Sequence, residues 1–349
     1  MRRNLLLGVA ATLLTLLILE VGLRAYQYFA RGTPFAVIRS NGADPTAAAI
    51  RGHPLLHYVP NPELPDVDEN YFRNTGSPQQ AGLRIAALGG STTYDVSVPA
   101  EHSYPYLLRE ALERRGVAVQ VLNGGAPGYQ LAHVTSRYVH QVRHMLRPGD
   151  WLLIDVGYND TYLHAGVTSP ERAHGDWLRV VREDDTLWRQ IRIANWVRAR
   201  VDMLLCEYGM EAWFAGTLNT AAFRGQWRLC TPQPGLAPNA RAIARYANDL
   251  QFLIRMAQMD GIRPVLLLQD YDPSRMQRAL ASVIEPVRVE LARAATSAGA
   301  SVLDMRGITH SRSEYFADEL HMNARGNALR AAAIAAFIAG APPAARSAR

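Results

Sequence analysis

Hydrophobic residues along the chain recur in two patterns that alternate with each other. Short, nearly continuous apolar runs that end at glycine-containing loops occupy residues 83–88, 117–122 and 151–156, and two further strands are predicted at residues 264–268 and 301–305. Segments with helical periodicity separate or follow them at residues 104–115, 131–146, 244–258, 283–298 and 323–338. Apolar runs of this length are typical of parallel strands buried on both faces. Their alternation with helices predicts an α/β fold, a three-layer αβα sandwich around a mostly parallel five-stranded sheet.

The N-terminus carries a longer apolar stretch that predicts a membrane helix. Arg2 and Arg3 precede an uncharged run at residues 5–19, which continues for three residues after Glu20. This approaches the length of a bilayer-spanning helix, and the two arginines predict a cytoplasmic N-terminus. A cleaved signal peptide has the same order of charges, but no convincing small-x-small site follows the run, which favours an uncleaved signal anchor over residues 1–25. We therefore expect a single-pass membrane protein whose remaining domain is extracytoplasmic, in the periplasm or on the outer face of the inner membrane.

The domain organisation follows from where the alternating pattern stops. Residues 26–80 are rich in proline and glycine with little periodicity, which predicts an irregular stalk or packing arm. The main domain is predicted at residues 81–340, followed by a tail at residues 341–349. Residues 165–238 interrupt it and hold five of the six tryptophans. This insertion is expected to be helical, either a lid or substrate wall or a subdomain whose aromatic residues form its own core.

Both cysteines, Cys206 and Cys230, lie in this insertion. An oxidising compartment would permit a disulfide between them, whereas two unpaired buried thiols fit the sequence equally well. Neither cysteine lies in a Cys-x-x-Cys pattern that would indicate a redox or zinc site.

Composition narrows the classes of partner. The chain is 48% hydrophobic and 19% charged, as expected of a globular protein. Its net charge of +6 comes from arginine alone, and the arginines are spread along the whole length, whereas nucleic-acid-binding proteins more often cluster them. His140 and His144 are spaced one helical turn apart but lack a third ligand, so they are expected to be surface residues. We expect no nucleic-acid partner, no metal and no cofactor.

Polar loops follow three of the predicted strands and precede the last helix. Ser91 comes directly after Gly89 and Gly90, where glycines allow a sharp strand-to-helix turn that exposes a serine hydroxyl. Alone, such a loop could equally be a helix N-cap or a phosphate-binding turn. The next two loops offer hydrogen-bond donors at Gly124-Gly125-Ala126-Pro127-Gly128 and at Tyr158-Asn159-Asp160.

The fourth loop places Asp318 three residues before His321, close enough for the carboxylate to hold the second nitrogen of the imidazole ring. Together with Ser91 these residues provide a nucleophile, a base and a group that orients the base.

Taken in order, the four loops resemble the four conserved blocks of the SGNH hydrolase superfamily, also called GDSL esterases and lipases. The resemblance covers roughly residues 83–340, apart from the insertion, and implies a flavodoxin-like strand order. It implies that Ser91 is the nucleophile, His321 the general base and Asp318 the orienting carboxylate. It also implies an oxyanion hole formed by the Ser91 amide, Gly128 and Asn159, with Gly125 as the competing choice for the second loop.

The first loop departs from the Gly-Asp-Ser-Leu pattern of the family. Gly90 stands where the family has aspartate and Thr92 where it has leucine. The variant is similar to the Gly-Gly-Ser-Thr loops of membrane-anchored members. It keeps the nucleophile but leaves open what supports this loop.

Three further residues lie near the predicted site. Tyr158 is a candidate for lining the acyl pocket. Asp270 and Asp272 follow the fourth strand and are expected either to face the cleft or to belong to a polar loop without a role in function.

The resemblance implies a serine ester hydrolase that acts through an acyl-enzyme on a lipid, small-molecule or glycan ester, with a carbohydrate O-acetyl esterase as one form. An O-acyltransferase acting on an exported glycan and a non-catalytic binding or assembly protein remain as alternatives. The oligomeric state is not determined by the sequence.

Overall fold

The computed structural model describes residues 2–31, 50–77, 82–165 and 237–340. The chain divides into two compact units, Met1–Ala49 with Gly175–Gln233 and Ile50–His174 with Pro234–Arg349. Helix α1 (Arg2–Arg31) is the part of the first unit that is described. The predicted insertion, with both cysteines, lies outside the described residues except at its ends, as does the tail at residues 341–349.

Helix α1 contains the apolar N-terminal run. Glu20 and Arg24, one turn apart on this helix, form an ion pair at 2.8 Å. Within the described part of the chain, no helix combines the length and the apolar composition required to cross a membrane. The signal anchor predicted for residues 1–25 is thus without structural support.

The second unit is built on a five-stranded parallel sheet. Each end of each strand lies within two residues of the end predicted from the sequence. The strands are β3 (Leu83–Gly89), β4 (Val119–Asn123), β5 (Trp151–Asp155), β6 (Arg263–Leu268) and β7 (Ser301–Asp304), preceded by a separate antiparallel hairpin of β1 (Ile50–His53) and β2 (His57–Pro60). Their order across the sheet is β4-β3-β5-β6-β7, with every pair parallel. This is the flavodoxin-like order, and the predicted α/β fold class is confirmed.

Helices cover both faces of the sheet and complete the three layers. The described helices of this unit are α2 (Ser91–Tyr94), α3 (Tyr104–Glu113), α4 (Leu131–His140), α5 (Thr161–His164), α6 (Ala240–Met259), α7 (Arg278–Ser297), α8 (Arg306–Thr309) and α9 (Ala324–Gly340). Helices α3 and α9 pack together over one face, where their apolar side chains join alternate strand residues such as Ile85, Leu153 and Val265 in one buried cluster. Helix α6 packs against α7 and α4. Burial on both faces explains why β3 to β6 read as nearly continuous apolar runs, whereas β7 lies at the edge of the sheet and is only partly buried.

One predicted helix is shorter than its pattern. The periodicity favours a helix over residues 131–146, but α4 ends at His140 and a 3₁₀ turn follows at Val142–His144. Gln141 leaves helical geometry with φ −133°, and its side chain donates to the Asn70 carbonyl at 2.8 Å. A tertiary hydrogen bond therefore accompanies the break, which apolar spacing could not indicate.

Residues 50–77, in the region predicted as a stalk or packing arm, pack on the sheet unit. The Arg73 amide donates to the Asn123 carbonyl at the end of β4, at 3.0 Å. The Arg73 guanidinium is buried and donates to the Asp95 and Val98 carbonyls, at 2.7 and 2.9 Å. The arm therefore braces the chain just beyond the loop that carries Ser91.

Candidate active site

The predicted site residues converge at the carboxyl edge of the sheet because of the strand register. Gly89 at the end of β3 is level with Asp155 at the end of β5, and Ala87 is level with Asn123 at the end of β4. The loops that follow these three strands therefore leave the sheet side by side. Parallel α/β sheets bind ligands at this edge.

Ser91 is half-buried and is the first residue of the short helix α2. The turn before it requires glycine, since a Cβ atom on Gly90 would lie 2.5 Å from Asn159 Nδ2 and 3.3 Å from the Tyr129 carbonyl oxygen. The same distances show that the loops after β4 and β5 close tightly around the backbone that precedes Ser91. An aspartate, as in the family pattern, would not fit at position 90 without a shift of Asn159.

His321 and Asp318 complete a hydrogen-bonded chain with Ser91. The distance from His321 Nε2 to Ser91 Oγ is 2.8 Å, and that from His321 Nδ1 to Asp318 Oδ2 is 2.7 Å. The three residues, separated by up to 230 positions, thus adopt the order of nucleophile, base and carboxylate that the sequence predicts.

The loop that carries Asp318 and His321 is a tight turn rather than a helix. Asp318 Oδ1 accepts from the amides of Leu320 and His321 at 2.8 and 2.7 Å, and the Ala317 amide donates back to the His321 carbonyl. Burial raises the pKa of Asp318, but the hydrogen bonds from the His321 ring and from these amides outweigh it and bring the pKa to about 2. The carboxylate is therefore ionised at neutral pH and holds the ring in one orientation.

The candidate oxyanion donors lie in the loops that follow β4 and β5. Asn159 follows β5, and its Nδ2 donates to the Tyr129 carbonyl at 2.9 Å, which leaves the second Nδ2 hydrogen available beside Gly90. Gly128 has φ +79° in the loop after β4. Among the described residues, the amides of Ser91 and Gly128 donate to no backbone carbonyl.

Gly125, the competing choice in this loop, occupies a different environment. Its amide donates to Asn123 Oδ1 at 3.1 Å. A Cβ atom there would lie 2.2 Å from the Tyr94 nitrogen, so this glycine allows the loop to pack directly on helix α2. Its position favours a packing role over that of an oxyanion donor.

Sequence reasoning missed the group that supports the altered Ser91 loop. Asp155, fully buried at the end of β5, accepts from the hydroxyls of Thr92 and Thr93 at 3.0 and 2.8 Å. The same carboxylate oxygen lies 2.6 Å from the guanidinium of Arg330, which comes from α9 and also donates to the Thr92 carbonyl. The Arg330 guanidinium lies over the Tyr104 ring, 3.8 Å from its centroid. A buried ion pair thus fixes the first turn of helix α2.

A sequence signal for this network existed. Asp155 is a charged residue inside the apolar run 151–156, and Arg330 is a charged residue in the alanine-rich last helix. Buried charged side chains are nearly always paired, so the sequence predicts an oppositely charged partner for each of these two residues.

Asp270 and Asp272 form hydrogen bonds with the segment that carries Asp318 and His321 and with the residues before it. Asp270 accepts from the Ser311 hydroxyl at 2.8 Å. Asp272 accepts from the Ser313 hydroxyl at 3.0 Å, and its amide donates to the Glu319 carbonyl at 2.9 Å. Both carboxylates are buried, and they hold the segment that leads to His321.

Tyr158 belongs to a small apolar cluster next to the site. The cluster consists of Tyr271, Met276 and Leu320, all buried, with Tyr158 and three residues of α7 packed against them. Since Leu320 precedes His321 and Tyr158 precedes Asn159, the cluster links both sides of the site.

A further buried carboxylate, Asp160, follows Asn159. Asp160 accepts from the Tyr246 hydroxyl at 2.8 Å, and burial raises its pKa to about 7. His164 packs edge-on against the Tyr246 ring at 4.4 Å, and burial lowers its pKa to about 3. Through Asp160 and His164, Tyr246 of α6 is thus connected to helix α5, which begins just after Asn159.

His140 and His144 are exposed, as expected of surface residues. Within the described ranges, no group of three or more His, Cys, Asp or Glu side chains is arranged to hold a metal ion.

Solved structures that are similar to this chain have low sequence identity to it. An acetylxylan esterase from Geobacillus stearothermophilus is 13% identical, with 77% of this chain and 98% of that chain covered and a TM-score of 0.45. A member of the lipolytic G-D-S-L family from Veillonella parvula is 15% identical, with 73% and 97% covered and a TM-score of 0.43. A comparison with curated proteins gives no match.

The family comparison covers most of the chain. The model of the GDSL-like lipase/acylhydrolase family matches residues 87–329, a range that contains Ser91, Asn159, Asp318 and His321. The chain therefore belongs to the GDSL-like lipase/acylhydrolase family and is a hydrolase of ester bonds.

Proposed function

We propose that the protein is a serine esterase that works through an acyl-enzyme on Ser91. The observation that carries the proposal is the continuous hydrogen-bonded chain from Ser91 Oγ through His321 to Asp318 at 2.8 and 2.7 Å. A serine hydroxyl becomes a useful nucleophile only when a base is in direct contact with it, and His321 Nε2 meets that requirement.

In the acylation step, Ser91 Oγ bonds to the ester carbonyl carbon while His321 Nε2 takes the hydroxyl proton. Negative charge develops on the carbonyl oxygen, where the amides of Ser91 and Gly128 and the Asn159 side chain donate to it. The bond to the leaving alcohol then breaks, and the alcohol oxygen takes the proton from His321.

Deacylation repeats these steps with water. His321 removes a proton from water as its oxygen attacks the acyl carbon, and the bond to Ser91 Oγ breaks. The acid leaves, and Ser91 recovers its proton from His321. Asp318 remains ionised throughout, since its hydrogen bonds hold its pKa near 2.

We further propose short acyl groups, such as the acetyl esters of carbohydrates, as substrates. The described apolar side chains next to His321 support this, because Tyr271, Met276 and Leu320 are buried against one another and present little open surface of their own to a long acyl chain.

Turnover of nitrophenyl esters of increasing chain length, measured on the full-length protein beside Ser91→Ala, tests both parts. We expect acetate to be preferred and Ser91→Ala to be inactive. Ser136→Ala, which removes a hydroxyl bonded to the Leu55 carbonyl, is a matched control that should keep full activity. Esterase activity that survives in Ser91→Ala would refute the mechanism, and a preference for long chains would refute the substrate class.

Asn159→Ala tests the oxyanion hole. Loss of one donor should lower kcat about a hundredfold or more, with the protein still folded by circular dichroism. Unchanged turnover in a folded variant would remove Asn159 from the mechanism.

A fluorophosphonate labels activated serines and distinguishes a serine esterase from the two alternatives, an O-acyltransferase and a non-catalytic binding or assembly protein. Labelling of Ser91 without hydrolysis of any ester would favour an acyltransferase. No labelling of a folded protein would favour a non-catalytic role.

We also propose that the N-terminus holds the protein at a membrane with its catalytic unit outside the cytoplasm. The support is the sequence, with Arg2 and Arg3 ahead of an uncharged run. Leu17→Arg should release the protein into the soluble fraction, whereas Val289→Arg, at an exposed apolar position of α7, should not. A wild-type protein found soluble after cell lysis would refute the anchor.

A further inference from the structure

The β1–β2 hairpin contacts the loop that carries Gly128. Tyr58 of β2 is fully buried and donates its hydroxyl to the Pro127 carbonyl at 3.0 Å. In return, the Tyr129 hydroxyl donates to the Tyr58 carbonyl at 2.6 Å. One residue of the hairpin therefore holds the positions on both sides of Gly128. The hairpin precedes residue 87, where the match to the family begins.

The same loop orients Asn159. The Tyr129 carbonyl accepts from Asn159 Nδ2 at 2.9 Å, and the Gln130 side chain donates to the Asn159 carbonyl at 3.2 Å. A carbonyl oxygen only accepts hydrogen bonds. The bond to the Tyr129 carbonyl therefore places Nδ2 of the Asn159 side chain, and not its Oδ1, next to Gly90. A shift of Tyr129 would therefore move Asn159 as well as Gly128.

Aromatic packing makes this arrangement rigid. The Tyr58 and Tyr129 rings meet edge to face at 5.1 Å, and the Tyr129 ring stacks on His133 at 5.2 Å with an angle of 13° between the planes. All three side chains are buried. Side chains in such a packed cluster have few alternative positions.

We propose that Tyr58 is a positioning residue of the oxyanion hole, acting through Pro127 and Tyr129 on Gly128 and Asn159. The inference rests on the proposed function of these two donors. Donors fixed in advance stabilise the charge that develops in the transition state, whereas they contribute little to binding of the uncharged ester. A loosened loop should therefore lower kcat and leave KM nearly unchanged.

Tyr58→Phe tests this proposal because it removes the hydroxyl and keeps the ring. We expect kcat for nitrophenyl acetate to fall about tenfold, with KM within about twofold of the wild type. The matched control is Tyr138→Phe, since Tyr138 is equally buried but donates to Asp260 at 2.7 Å instead of to the site loops. The control should keep kcat within about twofold of the wild type.

A double-mutant cycle with Asn159→Ala distinguishes positioning from general destabilisation. If Tyr58 acts through the donors, removing Asn159 beforehand should reduce the effect of Tyr58→Phe to less than about threefold. An undiminished tenfold loss in the Asn159→Ala background would overturn the route through Asn159 and support the route through Gly128. An unchanged kcat in the single variant would overturn the proposal. If Tyr58→Phe does not fold, Tyr129→Phe removes the reciprocal hydrogen bond and is held to the same expectations.

Failure of this inference is separable from failure of the proposed function. Turnover that depends on Ser91 but is insensitive to Tyr58→Phe would refute only the role of Tyr58. Turnover that survives Ser91→Ala would refute the proposed function itself.

Discussion

Two carboxylates lie close to Ser91, and each contacts one basic side chain at nearly the same distance. Asp318 is 2.7 Å from His321, and Asp155 is 2.6 Å from Arg330. Their exposure differs completely, because the side chain of Asp318 is 45% exposed and that of Asp155 is 0% exposed. The distance alone does not distinguish the two pairs, but their surroundings do.

The difference shows how one site divides its chemical and structural tasks. The His321 imidazole contacts the Ser91 hydroxyl, so its pair with Asp318 is suited to moving a proton. Arg330 is permanently charged and buried, so its pair with Asp155 cannot take part in proton transfer. Asp155 also accepts hydrogen bonds from the Thr92 and Thr93 hydroxyls, and these bonds fix the backbone next to Ser91.

The largest effect is expected from breaking the exposed pair. Asp318→Asn keeps the shape of the side chain but removes the charge that orients His321, and kcat should fall by about 10³- to 10⁴-fold. The free energy of unfolding in urea should change little, since the pair is partly solvated. A variant within tenfold of the wild type would mean that His321 does not need this carboxylate.

Breaking the buried pair should affect stability first. Arg330→Met fills a similar volume but leaves Asp155 buried without its cation, which should cost about 3 to 5 kcal/mol of unfolding free energy. Arg293→Met is the control, because it breaks an exposed pair with Glu290 and should change the free energy of unfolding far less. Equal losses in urea denaturation would contradict the contrast drawn between exposed and buried pairs.

The smallest effect concerns a third carboxylate, Asp160, which is buried and, among the described residues, forms no ion pair. Its pKa is about 7 in the folded protein against an ordinary value of 3.8, so between these values the folded state binds more protons than the unfolded state. Stability from this group is therefore present at low pH and is lost as the pH rises toward 7. The stability change caused by Asp160→Asn should be more favourable by about 2.5 kcal/mol at pH 8 than at pH 5. Urea denaturation of both proteins at the two pH values measures this, and a pH-independent difference would show that Asp160 is not the titrating group.

Much of the fold was predictable because burial on both faces of the sheet leaves a direct record in the chain. The five predicted strands matched the observed strands within two residues at each end. The glycines after the first two strands indicated the edge of the sheet at which the candidate site lies. The end of α4 was not predictable, since the hydrogen bond between Gln141 and the Asn70 carbonyl joins positions 71 residues apart. The same limit applies to Tyr58, whose partners are 69 and 71 residues away.

The sequence by itself determined the order of strands and helices, the residues suited to nucleophile, base and orienting carboxylate, and the family to which they belong. The tertiary structure alone decided which buried groups hold those residues in place. Asp155 and Arg330 hold the helix that begins at Ser91, Asp272 holds the His321 loop, and Tyr58 holds the loop of Gly128. The physical reason is that burial and periodicity are local properties that each element records in its own residues. A hydrogen bond between distant elements leaves no such periodic trace, because any donor can meet any acceptor once the sheet has brought them together.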